Sequence, residues 1–387
     1  MAIRHTDIPL KGQYVVTEDA CLRQGSGAYQ HISIGFTELS KHFLMTSAFP
    51  KPDAVGSNSS SKKRAPSRGL KMNKSLGVLR DLKYFAKNSW RAIFVAYSIK
   101  REKPDFVYFR AHFLDPLPLL LKLLDVPFFI EANGLQFDAR KKYYLSLMTP
   151  LNRWFEKMVY KSANYVFFVG SYGDYWQLET SNWCNVENGI ESTLLDMDRT
   201  LEPASSGVIE LAFVGRLMGH HNPKLLSSAI IQLSSISNLQ YHLHLFGAGF
   251  EQLTSELGGH IELMEHGFLG REELHECLKG VDIGLISDGP LFSSQMKLFD
   301  YGAAKCVVIA ASLPNLRNWF TPEEIVFFAE GSAKDLASSI DQVASQLPEY
   351  SGNAESLYSR IRRDFTWEGV FERKAKIIKE VIIDVII

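Results

Sequence analysis

Apolar and polar positions alternate along the 387 residues in a regular rhythm. Nearly unbroken apolar runs of six or seven residues are separated by longer stretches in which apolar residues recur every three or four. The short runs predict strands over 13–18, 42–48, 105–110, 127–132 and 165–170. A second series lies at 209–215, 241–247, 261–267, 282–287, 306–311 and 324–330. Continuous apolar runs such as "CVVIAA" and "YVFFVG" suit strands covered on both faces. Strands alternating with helical patterns predict βαβ units and parallel sheets, an α/β class. The polar stretch 196–207 separates the two series and reads as a linker. The prediction is two doubly wound Rossmann-like domains with a cleft between them: residues 1–195, the linker, 208–365, and a C-terminal helix over 366–387 that crosses back to the first domain.

Bulk composition narrows this picture without redirecting it. A hydrophobic share of 46% against 22% charged residues is globular, and the net charge of −1 leaves polyanion binding to a local patch. Cys21, Cys184, Cys277 and Cys306 are widely spaced, which argues against a zinc site or disulfide framework and suits a reducing compartment. The opening residues lack a signal-peptide core, and no apolar run is long enough to span a bilayer.

One region departs from the average. Residues 57–103 begin with loop composition and continue as a helical pattern. Between 61 and 101 lie twelve basic side chains and one acid, Asp81, a balance of +11. Leu79, Leu82, Phe85, Ala86, Trp90 and Phe94 can line a face among them. A basic amphipathic helix with aromatics is the signature of an anionic membrane surface; the alternative is a solvated helix packing its aromatics on the sheet. No motif for reading nucleic acid accompanies it.

Candidate chemistry collects at the C-terminal ends of the predicted strands, where open α/β sheets bind ligands. After the first strand, "RQGSGAYQ" precedes a helix over about 29–41, and Gly25 and Gly27 would admit a ligand close to its positive end. As a dinucleotide fingerprint this loop is weak, for it lacks a third glycine and a later ribose-binding acid. Further along, Gly215 and Arg216 follow one strand, Gly247 and Gly249 another, and Gly267 a third. In "SSQMKLFDYGAAK" a short helix precedes a buried strand, and Lys297, Asp300 and Tyr301 share one face at i, i+3 and i+4. Ser293 or Ser294 is the expected N-cap, with Gln295 and Met296 following, unless a phosphate takes those amides. Lys297 and Asp300 alone would be an ordinary surface pair; four loops converging on one sheet edge point instead to a nucleotide-diphosphate sugar, with diphosphate at the helix start and ribose one turn on.

The ordered set "FVGRL", "HLFGAG", "HGFLGREELHECLKGVDIGLI", "MKLFDYGAA" and "FTWEGVFERKAKII" resembles the family 4 GT-B glycosyltransferases, which retain anomeric configuration. Earlier segments "DFVYFRAH", "FFIEANG", "WFEKMVYKSANYVFFVGS" and "NVENGI" fall in the family's order too, so the resemblance covers roughly residues 105–380. It implies that Arg216 and Lys297 neutralise the donor diphosphate and Asp300 binds ribose. The loops of Gly247, Gly249 and Gly267 would hold the base, with Gly215, Ser294, Gln295 and Met296 completing the donor site. Asn133 aligns with the family's active-site histidine, and Glu131 or Asn133 would orient the acceptor or donor sugar. His112 competes for that role, an ordinary surface histidine being the alternative. A buried Glu131 would need a partner, Arg110 or Arg140. This chain departs from the family where Phe292 stands for the first acid of a Glu-x7-Glu pair, and where Lys305 and Val307 replace a glycine and a proline.

The resemblance implies a donor linked to UDP or GDP, no cofactor and no metal, and leaving-group stabilisation as the main catalytic device. The basic helix adds a saccharide or lipid-linked acceptor, an anionic membrane contacted through 61–101, and a place at the inner face of the cell membrane, in surface polysaccharide biosynthesis. Rival readings are a GT-B epimerase or hydrolase, which would surround the sugar with acids and histidines, a non-catalytic membrane-associated scaffold, and a nicotinamide dehydrogenase, whose fingerprint is incomplete here.

Overall fold

A computed structural model of the chain describes residues 9–18, 27–48, 74–139, 146–195 and 207–386. The chain divides into two compact units, one formed by residues 1–186 and 371–387, the other by Glu187–Val370. Gly25, Arg140, the basic residues before Lys74 and the expected linker over 196–206 lie outside the described residues.

The first unit runs β1 (Lys11–Val15), α1 (Gly27–Ser40), β2 (Leu44–Ala48), α2 (Lys74–Glu102), β3 (Phe106–Arg110), α3 (Leu117–Leu123), β4 (Phe128–Ala132), α4 (Gln136–Ala139), α5 (Thr149–Ser162), β5 (Tyr165–Val169), α6 (Tyr172–Trp176) and β6 (Trp183–Val186). Its strands form one parallel sheet in the order β2-β1-β3-β4-β5-β6. The centre is unusually aromatic, with Tyr14, Tyr108, Phe109, Phe129 and Phe167 almost completely buried. Tyr14 lies opposite Tyr108, and Tyr108 opposite Phe129, so rings succeed one another across the sheet.

The second unit continues with β7 (Val208–Arg216), α7 (Pro223–Ile236), β8 (Gln240–Ala248), α8 (Glu251–Leu257), β9 (Glu262–Gly267), α9 (Arg271–Leu278), β10 (Ile283–Ile286), α10 (Met296–Ala303), β11 (Val307–Ala311), α11 (Pro314–Trp319), β12 (Val326–Phe328), α12 (Ala333–Ser345) and α13 (Ser351–Asp364); α14 (Trp367–Ile386) begins in it and belongs to the first unit from Phe371 on. Its parallel sheet has the order β12-β11-β10-β7-β8-β9, so chain direction across the sheet reverses between β7 and β10. Such a reversal opens a crevice at the strand ends, where α/β proteins bind ligands.

The unit boundary lies earlier than composition predicts. Residues 187–195 belong with the second unit because Ile190 N donates to Phe365 O (2.9 Å), Trp367 N donates to Ile190 O (3.0 Å) and the Tyr358 hydroxyl donates to Leu195 O. Within α14, residues from Phe371 onward pack with the first unit.

Every predicted strand is present, with ends shifted by up to three residues. β6 was not predicted: "WCNV" is short, half-buried and mixed, as befits an edge strand.

α2 presents its surface in an inverted way. Its buried positions are mostly small or polar, Asp81, Asn88, Ala92 and Ala96 among them with Ile99 the apolar exception, while Leu79, Leu82, Phe85, Trp90, Ile93, Phe94 and Tyr97 are exposed. Asn152 donates to Asp81 (2.8 Å), and Asn88 donates to Phe113 O (2.8 Å), which fixes the polar side inward. The one acid of the basic segment is therefore withdrawn from its exposed face. Among the described residues no helix is long and apolar enough to cross a membrane.

Candidate active site

The reversal between β7 and β10 is built by Tyr301. The two strands pair only at Ile283–Leu211 and Gly284–Ala212, then separate. The Tyr301 hydroxyl fills the gap, accepting from Val214 N (2.8 Å) and lying 3.1 Å from Ala212 O and 3.3 Å from Leu285 O as donor. A buried backbone amide that lost its ladder partner thus gains a side-chain one. The ring lies so close to β10 that a Cβ at Gly284 would stand 2.4 Å from its Cγ, so no larger residue fits there. Tyr301 accordingly faces the sheet, and of the three predicted face-mates only Lys297 and Asp300 reach the opening.

Beyond that wedge is a cavity of about 390 Å³. Val214 and Gly215 line it from β7, Arg271 from α9, and Ser293, Ser294, Gln295, Met296, Lys297 and Asp300 from the start of α10. Lys297 is 7% exposed, its Nζ has no hydrogen-bond partner, and it rests 4.0 Å from the centre of the Phe213 ring. Burial pushes its ammonium down to about 7, against a smaller opposing effect of the Asp300 charge. Asp300 accepts a 2.6 Å bond from Arg271 Nη1, and Arg271 Nη2 donates to Glu191 (2.9 Å). Burial raises the Asp300 carboxyl, with the Arg271 guanidinium working against it.

The helix start differs from expectation. α10 begins at Met296 with Gln295 as N-cap, and no side chain caps it. Ser294 does not cap because its hydroxyl donates to Glu187, a nearly buried carboxylate whose other oxygen accepts from Asn315 Nδ2 (3.0 Å). Burial raises the Glu187 carboxyl to about 7. Leu298 N donates back to Gln295 O (2.9 Å), which leaves the Met296 and Lys297 amides to point outward at the positive end of the helix dipole.

Arg216 is not brought to Lys297. It is exposed at the end of β7, its guanidinium sits 5.8 Å from the centre of the Phe268 ring, and it does not line the cavity. Gly215, which lines the cavity, has φ +114° and so breaks the regular pleat just before Arg216. Gly247 (φ +129°) serves strand packing, since a Cβ there would fall 2.3 Å from Gly215 O. Gly249 (φ +87°) approaches Leu217 O in the same manner, and Gly267 has φ +70°; neither lines the cavity.

The first unit holds the remaining predicted residues. Glu131 is fully buried and accepts from Tyr108 (2.7 Å), Arg110 (3.0 Å), Asn133 (2.9 Å) and Lys374 of α14 (2.8 Å). Burial alone would raise this carboxyl, but His31, Lys374 and Arg110 together hold it well below the usual range. Its bonding capacity is thus taken up inside the unit, and of this pair Asn133 is the one partly exposed. The expected partner is Arg110. The surface reading of His112 is corrected: its side chain is 6% exposed, with Nε2 2.9 Å from Glu18. Gly27 is the first residue of α1.

Sequence reasoning missed two residues, Arg271 and Glu187. "REEL" was read as the acidic first turn of a helix, and the capping Glu273 does bond Gly270 N (3.1 Å), but the arginine ahead of it reaches α10. Glu187 offered no local signal, because its partners lie more than a hundred residues away.

Two six-stranded parallel sheets with these connections define the GT-B glycosyltransferase fold. Residues 229–374 match the family model described as glycosyl transferase-like. No curated protein matches the chain. Among solved structures the chain is similar to sucrose-phosphate synthase from Thermosynechococcus elongatus (TM-score 0.70, 13% identity, covering 97% of this chain and 100% of that one). It is similar to a glycosyltransferase from Rickettsia africae ESF-5 (0.65, 16%, 97% and 99%). HepE from Anabaena in complex with UDP is a third (0.65, 12%, 96% and 100%).

Proposed function

We propose that the protein is a retaining glycosyltransferase that moves a sugar from a UDP- or GDP-linked donor to a lipid-linked saccharide at a membrane surface. The observation that carries this reading is Lys297: a buried amine without a hydrogen-bond partner, lining a cavity beside an uncapped helix N-terminus. A dianionic diphosphate supplies what both features lack. Asp300, one turn further, would accept from a ribose hydroxyl. The likeness to a UDP-bound structure supports the donor class.

In the reaction, the acceptor hydroxyl attacks the anomeric carbon from the face the diphosphate leaves, and its proton passes to the departing phosphate oxygen. Lys297 and the α10 amides stabilise charge as it builds on that oxygen. Arg216 would leave Phe268 to join the diphosphate when donor binds. Asn133 would orient a sugar. No step on this route calls for a metal ion.

The acceptor class rests on α2, whose exposed Leu, Ile, Trp, Phe and Tyr side chains lie among Arg80, Lys83 and Lys87. Phe292 in place of an acid keeps a non-catalytic membrane-associated scaffold as the second reading.

Calorimetric titration with UDP, GDP and NAD, followed by a hydrolysis assay over a panel of nucleotide sugars, tests the proposal. Binding of UDP or GDP with slow donor hydrolysis is expected. Preference for NAD refutes it in favour of a dehydrogenase, and binding of neither UDP nor GDP refutes it in favour of the scaffold.

A further inference from the structure

Glu187 does not itself line the cavity, yet both its carboxylate oxygens act on the loop that does. One accepts from the Ser294 hydroxyl. The other accepts from Asn315 Nδ2 (3.0 Å), which also donates to Ser293 O (3.0 Å). Asn188 N, next in the chain, donates to Ser294 Oγ from 3.4 Å. The carboxyl is 4% exposed, so water does not compete for these bonds.

Ser294 immediately precedes the N-cap Gln295. A serine in that place can turn its oxygen onto the backbone amides two and three residues on, here those of Met296 and Lys297. Such a contact closes a helix end and removes the donors an anion would use. In this chain the hydroxyl points to Glu187 instead, and the helix end has no side-chain cap.

We propose that Glu187 is a positioning residue that keeps the N-terminus of α10 open as an anion site, by holding the Ser294 hydroxyl away from the helix amides. The inference rests on the reading of the cavity as a nucleoside-diphosphate site. It adds a residue outside the cavity that sets the site's affinity. Phe292 stands where the family resemblance puts an acid, and Glu187 reaches the same loop from another part of the chain.

The test compares wild type, Glu187→Ala and the double variant Glu187→Ala/Ser294→Ala. Releasing the hydroxyl lets Ser294 cap the helix, and UDP binding weakens by about fivefold to tenfold. Removing that hydroxyl as well reopens the helix end, so the double variant regains most of the lost affinity. A merely structural role would make the second deletion neutral or harmful. A folded Glu187→Ala protein that binds UDP like wild type, or a double variant weaker than the single one, overturns the proposal.

Amide hydrogen exchange without nucleotide gives an independent reading: Met296 and Lys297 slow in Glu187→Ala and speed again in the double variant. Unchanged exchange at both positions also overturns it. If wild type binds neither UDP nor GDP, the functional reading fails, while exchange still decides whether Glu187 governs the helix end. Should Glu187→Ala not fold, Glu187→Gln keeps the volume and one acceptor, and about a threefold loss with the same recovery is expected.

Discussion

On the proposed function, Lys297 should make donor binding a proton-linked event. Its amine lies in the interior with an ordinary value of 10.5 brought down to about 7, so above neutrality the empty site is mostly uncharged. A diphosphate at the start of α10 restores the ammonium, and binding takes up a proton. If only the ammonium form grips the ligand, the dissociation constant rises by roughly 25-fold between about pH 7.5 and about pH 9. The diphosphate adds no titration of its own there, because a phosphate's second ionisation lies at about pH 6. Calorimetry at about pH 8 in buffers of different ionisation enthalpy should show uptake of about 0.9 proton per UDP bound. Lys297→Met should abolish that uptake, flatten the pH profile and weaken binding at neutral pH by roughly 10- to 150-fold, the range for losing one charged hydrogen bond.

The same substitution carries a stability signature of defined sign. Between about 7 in the folded state and 10.5 unfolded, the unfolded chain holds the extra proton, so this group's contribution to stability rises with pH across that window. Below it the native state bears a buried ammonium at a cost of up to roughly 5 kcal/mol. Lys297→Met should therefore raise the melting temperature most near pH 6, with the gain fading toward alkaline pH. Affinity independent of pH above neutrality, with no proton uptake, would refute this reasoning.

Three further outcomes follow from particular contacts. Lys374→Met leaves Glu131 buried with one cation fewer and should cost roughly 3–5 kcal/mol in urea unfolding at pH 7; the loss shrinks in acid, where a protonated Glu131 no longer needs its cations. Arg271→Met frees Asp300 from its 2.6 Å partner, so burial carries that carboxyl further up; UDP affinity should drop about tenfold, and the deficit should deepen as pH falls. Sedimentation with vesicles containing anionic lipid should show binding of wild type in low salt, and Lys83→Glu/Lys87→Glu should reduce partitioning by about 30-fold or more, at about 1 kcal/mol per lost cation; equal binding by both would remove the basis for a membrane acceptor.

Much of the architecture was legible because parallel strands buried on both faces write themselves as apolar runs. "YVFFV" and "VVIAA" needed no partner to be recognised, whereas "WCNV" at a sheet edge carries no such run. Lys297 and Asp300 were legible together because helical spacing alone puts them on one face. What the sequence could not reveal depended on contacts between distant segments. Arg271 looked like part of an acidic first turn until α9 came to rest beside α10. Glu187 acts over more than a hundred residues of chain. The place of Arg216 after a glycine predicts a phosphate ligand, but the backbone at Gly215 (φ +114°), which no local pattern reveals, precedes a guanidinium that rests at Phe268. Ser294 follows every local rule for a cap and is overruled by one buried carboxylate.

The most direct test is a crystal structure of the protein with UDP bound. The diphosphate should lie within hydrogen-bond distance of Lys297 Nζ and the first amides of α10, with the ribose against Asp300. Nucleotide bound elsewhere, or bound at this cavity with Lys297 still resting on Phe213 and touching no phosphate oxygen, would contradict the account.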